Sequence, residues 1–183
     1  MKKKIFALAL ALTVIFTLFT ACGKKETPPA DGTAFFTAFE SETLDGERIT
    51  DESFRGNKVT MVNVWGTFCG PCIGEMPALG KISEDYKDKG VRVIGIICDT
   101  FDPYNEVNIP EKVQDAKDIV TQTGATYTHI LPSLSLNRAK LDSIYSVPTT
   151  YFLNENGEII GTEYVGAKSY SQWCNIIDSI LGE

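Results

Sequence analysis

Trp65-Gly66-Thr67-Phe68-Cys69-Gly70-Pro71-Cys72-Ile73-Gly74-Glu75-Met76-Pro77 is the stretch on which the rest of the chain turns. The β-branched apolar run before it (Val59, Val62, Val64) predicts a buried strand, and Met76, Leu79, Ile82 and Tyr86 keep roughly helical spacing after it. Two cysteines separated by two residues therefore fall where a strand hands over to a helix. Cys-x-x-Cys is also half of many zinc sites. A four-cysteine zinc site needs a second pair, and Cys22, Cys98 and Cys174 stand singly. The stretch reads as a redox dithiol.

Placement gives the two sulfurs different chemistry. Pro71 has no N–H and a fixed φ, which suits the first helical position. Cys69 then lies just outside the helix start and Cys72 in its first turn. Unpaired N–H groups and the positive end of the helix dipole face Cys69 and favour its thiolate, the attacking form in thiol–disulfide exchange. Cys72 is expected to be the more buried, resolving thiol, with Trp65 and Phe68 packed around the pair.

The Trp-x-x-x-Cys-Gly-Pro-Cys run, with Pro77 five residues after the second cysteine, resembles the thioredoxin superfamily. Glu75-Met76-Pro77, with Asn63 on the preceding strand, is similar to the TlpA/ResA branch of membrane-anchored thiol–disulfide oxidoreductases. The resemblance covers roughly residues 34–183. It implies an α/β, thioredoxin-like fold: a central mixed β-sheet flanked by helices, with an N-terminal β-hairpin extension. It also implies that Pro148 is cis and faces the redox pair, leaving the Val147 backbone to pair with a bound substrate strand. In this branch a glutamate at the Glu75 position exchanges a proton with the buried thiol, where thioredoxins use a strand aspartate; Asn63 stands there and cannot take a proton. Trp65, Phe68, Gly70, Pro71, Val147 and Pro148 are thus expected to line the substrate site, with Cys69, Cys72 and Glu75 catalytic and no cofactor or metal required.

A chain of 183 residues, 43% apolar, can bury one full core. Its formal charge of −7 becomes −10 without residues 1–22, which hold three lysines and no acids. So acidic a chain is a poor nucleic-acid binder. Lys2, Lys3 and Lys4 followed by the apolar Ile5–Phe19 fit a signal sequence better than a membrane span. Leu18-Phe19-Thr20-Ala21-Cys22 resembles a bacterial lipobox, with lipid carried on Cys22. The expected organisation is a lipoprotein signal peptide over 1–22, a Pro-containing tether over 23–34 and a thioredoxin-like domain over 35–183. This puts the domain, as a monomer, on the extracytoplasmic face of the cell membrane.

Along that domain, Phe36 and Phe39 begin a strand, and Leu44-Asp45-Gly46-Glu47 signals a hairpin turn into Arg48-Ile49. Val91–Ile97 reads as a strand covered on both faces. Strand, helix and strand make a parallel crossover unit. Residues 101–110 look like loop, and Pro110 opens a helix closed by Gly124. A short strand follows over 125–131 and a helical turn over 137–145. Asn156-Gly157 then joins Thr149–Leu153 to Glu158–Val165 as a hairpin. Trp173, Ile176, Ile177 and Ile180 mark a last amphipathic helix.

Two classes of function compete. The first is an extracytoplasmic disulfide reductase, recharged, as the resemblance implies, by a membrane thiol electron carrier and acting on disulfides of exported proteins. Apocytochrome c is the substrate known for one branch. Gly70-Pro71 matches thioredoxin's own dipeptide and predicts a reducing potential. The second is a copper metallochaperone with Cys69, Cys72 and His129 as ligands, since soft thiolates suit Cu(I); the copper-delivering family of this fold, however, spaces its cysteines by three residues. A peroxiredoxin reading lacks the proline its signature needs before Thr67. Cys98 and Cys174 are expected to be core thiols, and His129 to sit at the surface on an edge strand.

Overall fold

The computed structural model describes residues 30–183; the signal segment, Cys22 and residues 23–29 of the tether lie outside the described residues. In chain order the strands and helices are β1 (Ala30–Ala34), β2 (Glu40–Glu42), β3 (Arg48–Thr50), β4 (Val59–Trp65), α1 (Gly70–Tyr86), β5 (Val91–Ile97), β6 (Phe101–Asp102) and β7 (Val107–Asn108). They continue with α2 (Pro110–Thr123), β8 (Thr128–Ile130), α3 (Leu134–Ala139), β9 (Thr149–Leu153), β10 (Glu158–Ile160), β11 (Tyr164–Val165) and α4 (Tyr170–Leu181).

The main sheet runs β1-β10-β9-β4-β5-β8, with β11 also paired to β9. β4, β5 and β8 are parallel, and β9 is antiparallel to β4. The mixed sheet with flanking helices is the expected thioredoxin-like α/β fold, and β2–β3 form the N-terminal hairpin extension. All seven residues of β4 are buried, because the two faces of the sheet carry separate apolar clusters. Met61 and Trp65 point to the face covered by Met76, Leu79 and Ile82 of α1 and by Trp173, Ile177 and Ile180 of α4. Val62 and Val64 point to the opposite face, under Phe35, Phe36, Phe39, Phe54 and Leu136.

Local signals set the helix limits as expected. Gly90, at φ 84°, closes the turn that follows α1, and Gly124, at φ 67°, caps α2. A capping box holds the start of α4: the Gln172 N–H donates to Ser169 Oγ and the Ser169 N–H to Gln172 Oε1.

Four expectations on the fold are corrected. Residues 30–34, read as tether, form β1 and pair with β10. Phe36 and Phe39 are not in a strand; with Phe35 and Phe54 they make an aromatic cluster with ring centroids 4.4–6.0 Å apart. Burial of that much ring surface against the sheet outweighs strand propensity. Residues 101–110 are not all loop, since β6 and β7 pair within them. Glu158–Val165 is not one hairpin arm: Gly161, at φ 70°, breaks it into β10 and β11, both paired to β9.

Candidate active site

Cys69 and Cys72 form a disulfide at the N-terminus of α1. Cys69 is the N-cap residue, and its Sγ accepts the Cys72 N–H at 3.2 Å. One of the orphan donors of the helix start is therefore spent on the sulfur, which is where a thiolate would gain most. Pro71 lies in the first turn, beside the exposed Gly70. Cys69 is 6% exposed and Cys72 1%, so attack from solvent has one sulfur to reach.

The loop before the pair is clamped from the segment that follows β5. Asp99 takes the Thr67 N–H on one carboxylate oxygen at 3.0 Å and the Thr67 hydroxyl on the other at 2.6 Å. Lys112 of α2 steadies Asp99, donating to its carbonyl at 2.7 Å. Nothing in the sequence marked Asp99, because the contact joins residues 32 apart.

Opposite the disulfide, the Val147–Pro148 peptide is cis. Cys69 Sγ lies 3.6 Å from the Val147 carbonyl oxygen. The loop carrying Val147 thus meets the sulfur at the N-terminus of α1, as the resemblance implied. Trp65 is fully buried behind the pair, whereas Phe68 does not pack around it: Phe68 is 72% exposed. Its ring folds back over Gly66, where a Cβ would come within 2.6 Å of Phe68 Cε1. Glycine at 66 therefore lets Phe68 stand out beside the sulfur as a solvent-facing apolar surface.

Glu75 is 3% exposed, on the inner face of α1 one turn after Cys72. Its Oε1 accepts from Asn63 Nδ2 at 3.0 Å and its Oε2 from the main-chain N–H of Lys168 at 3.0 Å. Burial holds the carboxyl above the usual carboxylate range; the Lys168 N–H and the Asn63 amide pull the other way. The Trp173 indole faces the same carboxyl without closing a hydrogen bond. Because the fold favours the protonated carboxyl more than the unfolded chain does, the stability Glu75 contributes at low pH is lost as pH rises through its raised pKa.

His129 is corrected from a surface to a core residue. β8 is indeed the edge strand, but the ring is 3% exposed. It accepts from Trp65 Nε1 at Nδ1, 3.1 Å away, and its Nε2 meets the Ala125 carbonyl at 2.8 Å. The carbonyl can only accept, so Nε2 carries the proton. Both nitrogens are engaged, which removes His129 from the copper ligand set. Burial pushes its pKa down to about 4. The folded state thus keeps His129 neutral while the unfolded chain protonates it near 6.5. Its contribution is complete above about pH 6.5 and is lost as pH falls towards 4, a loss of up to about 3 kcal/mol. Denaturant unfolding at pH 7 and pH 4.5 should show this acid lability, and His129→Gln should remove that share of it. An unchanged pH dependence in the variant refutes the assignment.

Cys98 and Cys174 are free and half-buried. Burial pushes the Cys98 thiol up to about 11, away from the thiolate form, though the residue packs at the edge of the core and not inside it. Among the described residues no group of three His, Cys, Asp or Glu could hold a metal ion, and no helix is long and apolar enough to cross a membrane.

A thioredoxin-like sheet with a disulfide at a helix N-terminus, opposite a cis-proline loop, defines a thiol–disulfide oxidoreductase of the thioredoxin superfamily. The Redoxin family model matches residues 30–173, and the chain belongs to that family. Relatives include the thiol-disulfide oxidoreductase ResA of Halalkalibacterium halodurans, 33% identical over 67% of this chain and 62% of that protein. The thioredoxin-like protein YneN of Bacillus subtilis is 29% identical over 87% and 88% of the two chains. Two solved structures share the fold: a thiol:disulfide interchange protein of Chlorobium tepidum (23% identity, TM-score 0.63, 85% of this chain and 96% of that one) and StoA of Bacillus subtilis (22%, 0.58, 77% and 96%). The chain is ResA-like in sequence and thioredoxin-like in fold.

Proposed function

We propose that this protein reduces disulfides of exported proteins, apocytochrome c among the candidates, from the extracytoplasmic face of a bacterial membrane. The observation that carries the reading is the asymmetric pair: Cys69 as N-cap beside the Val147 carbonyl, Cys72 behind it, and a buried carboxyl one turn further on. In the reduced protein the Cys69 thiolate attacks a substrate disulfide. One substrate sulfur leaves as a thiolate and the other is held in a mixed disulfide. Glu75 takes the proton of the Cys72 thiol, and the Cys72 thiolate then attacks Cys69 Sγ. The substrate leaves with two electrons, its two thiolates taking one proton back from Glu75 and one from water, and the Cys69–Cys72 disulfide is formed.

The exposed Phe68, Gly70 and Pro71, together with Val147 and Pro148, would receive the substrate, with Trp65 buttressing the pair from inside. A membrane thiol carrier would return the disulfide to dithiol. The signal segment 1–22, lipid on Cys22 and a shortened tether would hold a single domain, monomeric, at the membrane surface.

The test is the reduction potential of the Cys69–Cys72 couple, joined to a pH profile. A value near that of thioredoxin, about −270 mV, is expected from the Gly70-Pro71 dipeptide; a value above about −180 mV reverses the direction. Glu75→Gln should flatten the pH dependence of mixed-disulfide resolution, and an unchanged profile removes Glu75 from the mechanism.

A further inference from the structure

The Glu75 carboxyl is held at both ends by groups that donate. Lys168 N–H is a main-chain donor and can play no other part. Asn63 Nδ2 gives its two protons to Glu75 Oε1 and to Thr150 Oγ1, each at 3.0 Å. That arrangement suits a carboxylate. When Glu75 takes a proton, Oε2 stays committed to Lys168, so the proton rests on Oε1, and two donors then face each other across 3.0 Å.

Asn63 carries the remedy. Its Oδ1 is buried and has no hydrogen-bond partner. Turning the amide by half a rotation exchanges its oxygen and nitrogen. Oδ1 then occupies the place of Nδ2, within reach of Glu75 Oε1 and of Thr150 Oγ1. The Thr150 hydroxyl, which accepts from the amide in the first orientation, donates to it in the second. The three groups lie on one face of the sheet, since Asn63 on β4 is the register partner of Thr150 on β9.

We propose that Asn63 and Thr150 form a reversible hydrogen-bonding pair that positions Glu75 in both of its protonation states. This rests on the reading of Glu75 as the proton acceptor for Cys72. In the resting orientation the amide donates to the carboxylate. When the Cys72 proton moves to Glu75 the amide turns, accepts the new O–H, and turns back when the proton leaves. Besides Cys72, which gives up the proton, the groups around Glu75 keep their roles: the Lys168 ammonium held over the Tyr164 and Trp173 rings, the Tyr127 phenol and the Trp173 indole.

The measurement is a pH titration of the reduced, isotope-labelled full chain, following the Asn63 side-chain amide and the Glu75 carboxyl by NMR. The amide pair is expected to move with the same midpoint as the carboxyl, and to stay still in Glu75→Gln. In parallel, Thr150→Val, which keeps shape but lacks the hydroxyl, should slow mixed-disulfide resolution about fivefold, and Thr150→Ser should restore it. Restoration by serine separates hydroxyl chemistry from packing, because serine is the poorer filler of the site. An Asn63 amide that is silent while Glu75 titrates, or a Thr150→Val protein that resolves at the wild-type rate, overturns the proposal. A Glu75→Gln protein with the wild-type pH profile instead removes the underlying role of Glu75, so the two failures are distinguishable.

Discussion

Cys69→Ser is expected to lose at least about a thousandfold in disulfide reduction, because a serine hydroxyl at this position has no base to make it a nucleophile. Cys72→Ser should fail differently. Cys69 remains the N-cap, with the residue-72 N–H aimed at its sulfur, so the first attack proceeds. The second cannot, and the variant should accumulate as a covalent mixed disulfide visible on a non-reducing gel. Incubated with a disulfide-bonded exported protein, Cys72→Ser should be retained and Cys69→Ser should not. The reduced wild-type protein should also alkylate first at Cys69 at neutral pH. Faster labelling of Cys72, or turnover surviving in the double variant, would contradict the roles given to the two sulfurs.

The placement of the two sulfurs was legible in the sequence because it follows from local rules: a strand, a two-residue gap containing proline, and a helix start. The same holds for the ends of α1 and α2, which Gly90 and Gly124 mark. Longer-range features were not legible in the same way. Glu75 and Asn63 could be singled out by resemblance, but their contact spans 12 residues, and the second anchor of Glu75, at Lys168, lies 93 residues away. Phe68, expected to pack around the pair, stands in solvent because Gly66 gives its ring room to fold back. The run Phe35, Phe36, Phe39 fits strand and cluster alike, and packing against Val62 and Val64 decides for the cluster. His129 shows the limit most clearly. An edge strand suggests exposure, yet the face of β8 that carries this residue is covered, and its partner Trp65 lies 64 residues earlier in the chain.

Gly95→Ala is expected to destabilise the protein by roughly 3–5 kcal/mol, adding the strain of an overfilled core to a broken buried hydrogen bond. Gly95 lies in the middle of β5, between Asn63 on β4 and His129 on β8. The His129 ring lies across the space that a side chain would fill. A Cβ on residue 95 would overlap His129 Nδ1 and stand 2.8 Å from its Cε1 and 3.1 Å from Trp65 Nε1. Every atom met belongs to a buried ring, so none can swing out into water. The alanine must displace the imidazole, and the Trp65 N–H then loses its acceptor inside the core. Had the glycine served only backbone freedom, alanine would have been neutral or mildly favourable in a strand. A double-mutant cycle separates these accounts. His129→Ala vacates the same space, so Gly95→Ala should cost little in that background, and the two changes should be far from additive. Urea unfolding of the four proteins at pH 7 measures this; a Gly95→Ala single variant within about 0.5 kcal/mol of wild type would mean that the ring does not lie over β5. Because Trp65 leads directly into the loop that ends at Cys69, the same cycle should also appear in the alkylation rate of Cys69. Stability and reactivity would then be set by one buried contact between the first strand of the redox motif and the edge of the sheet.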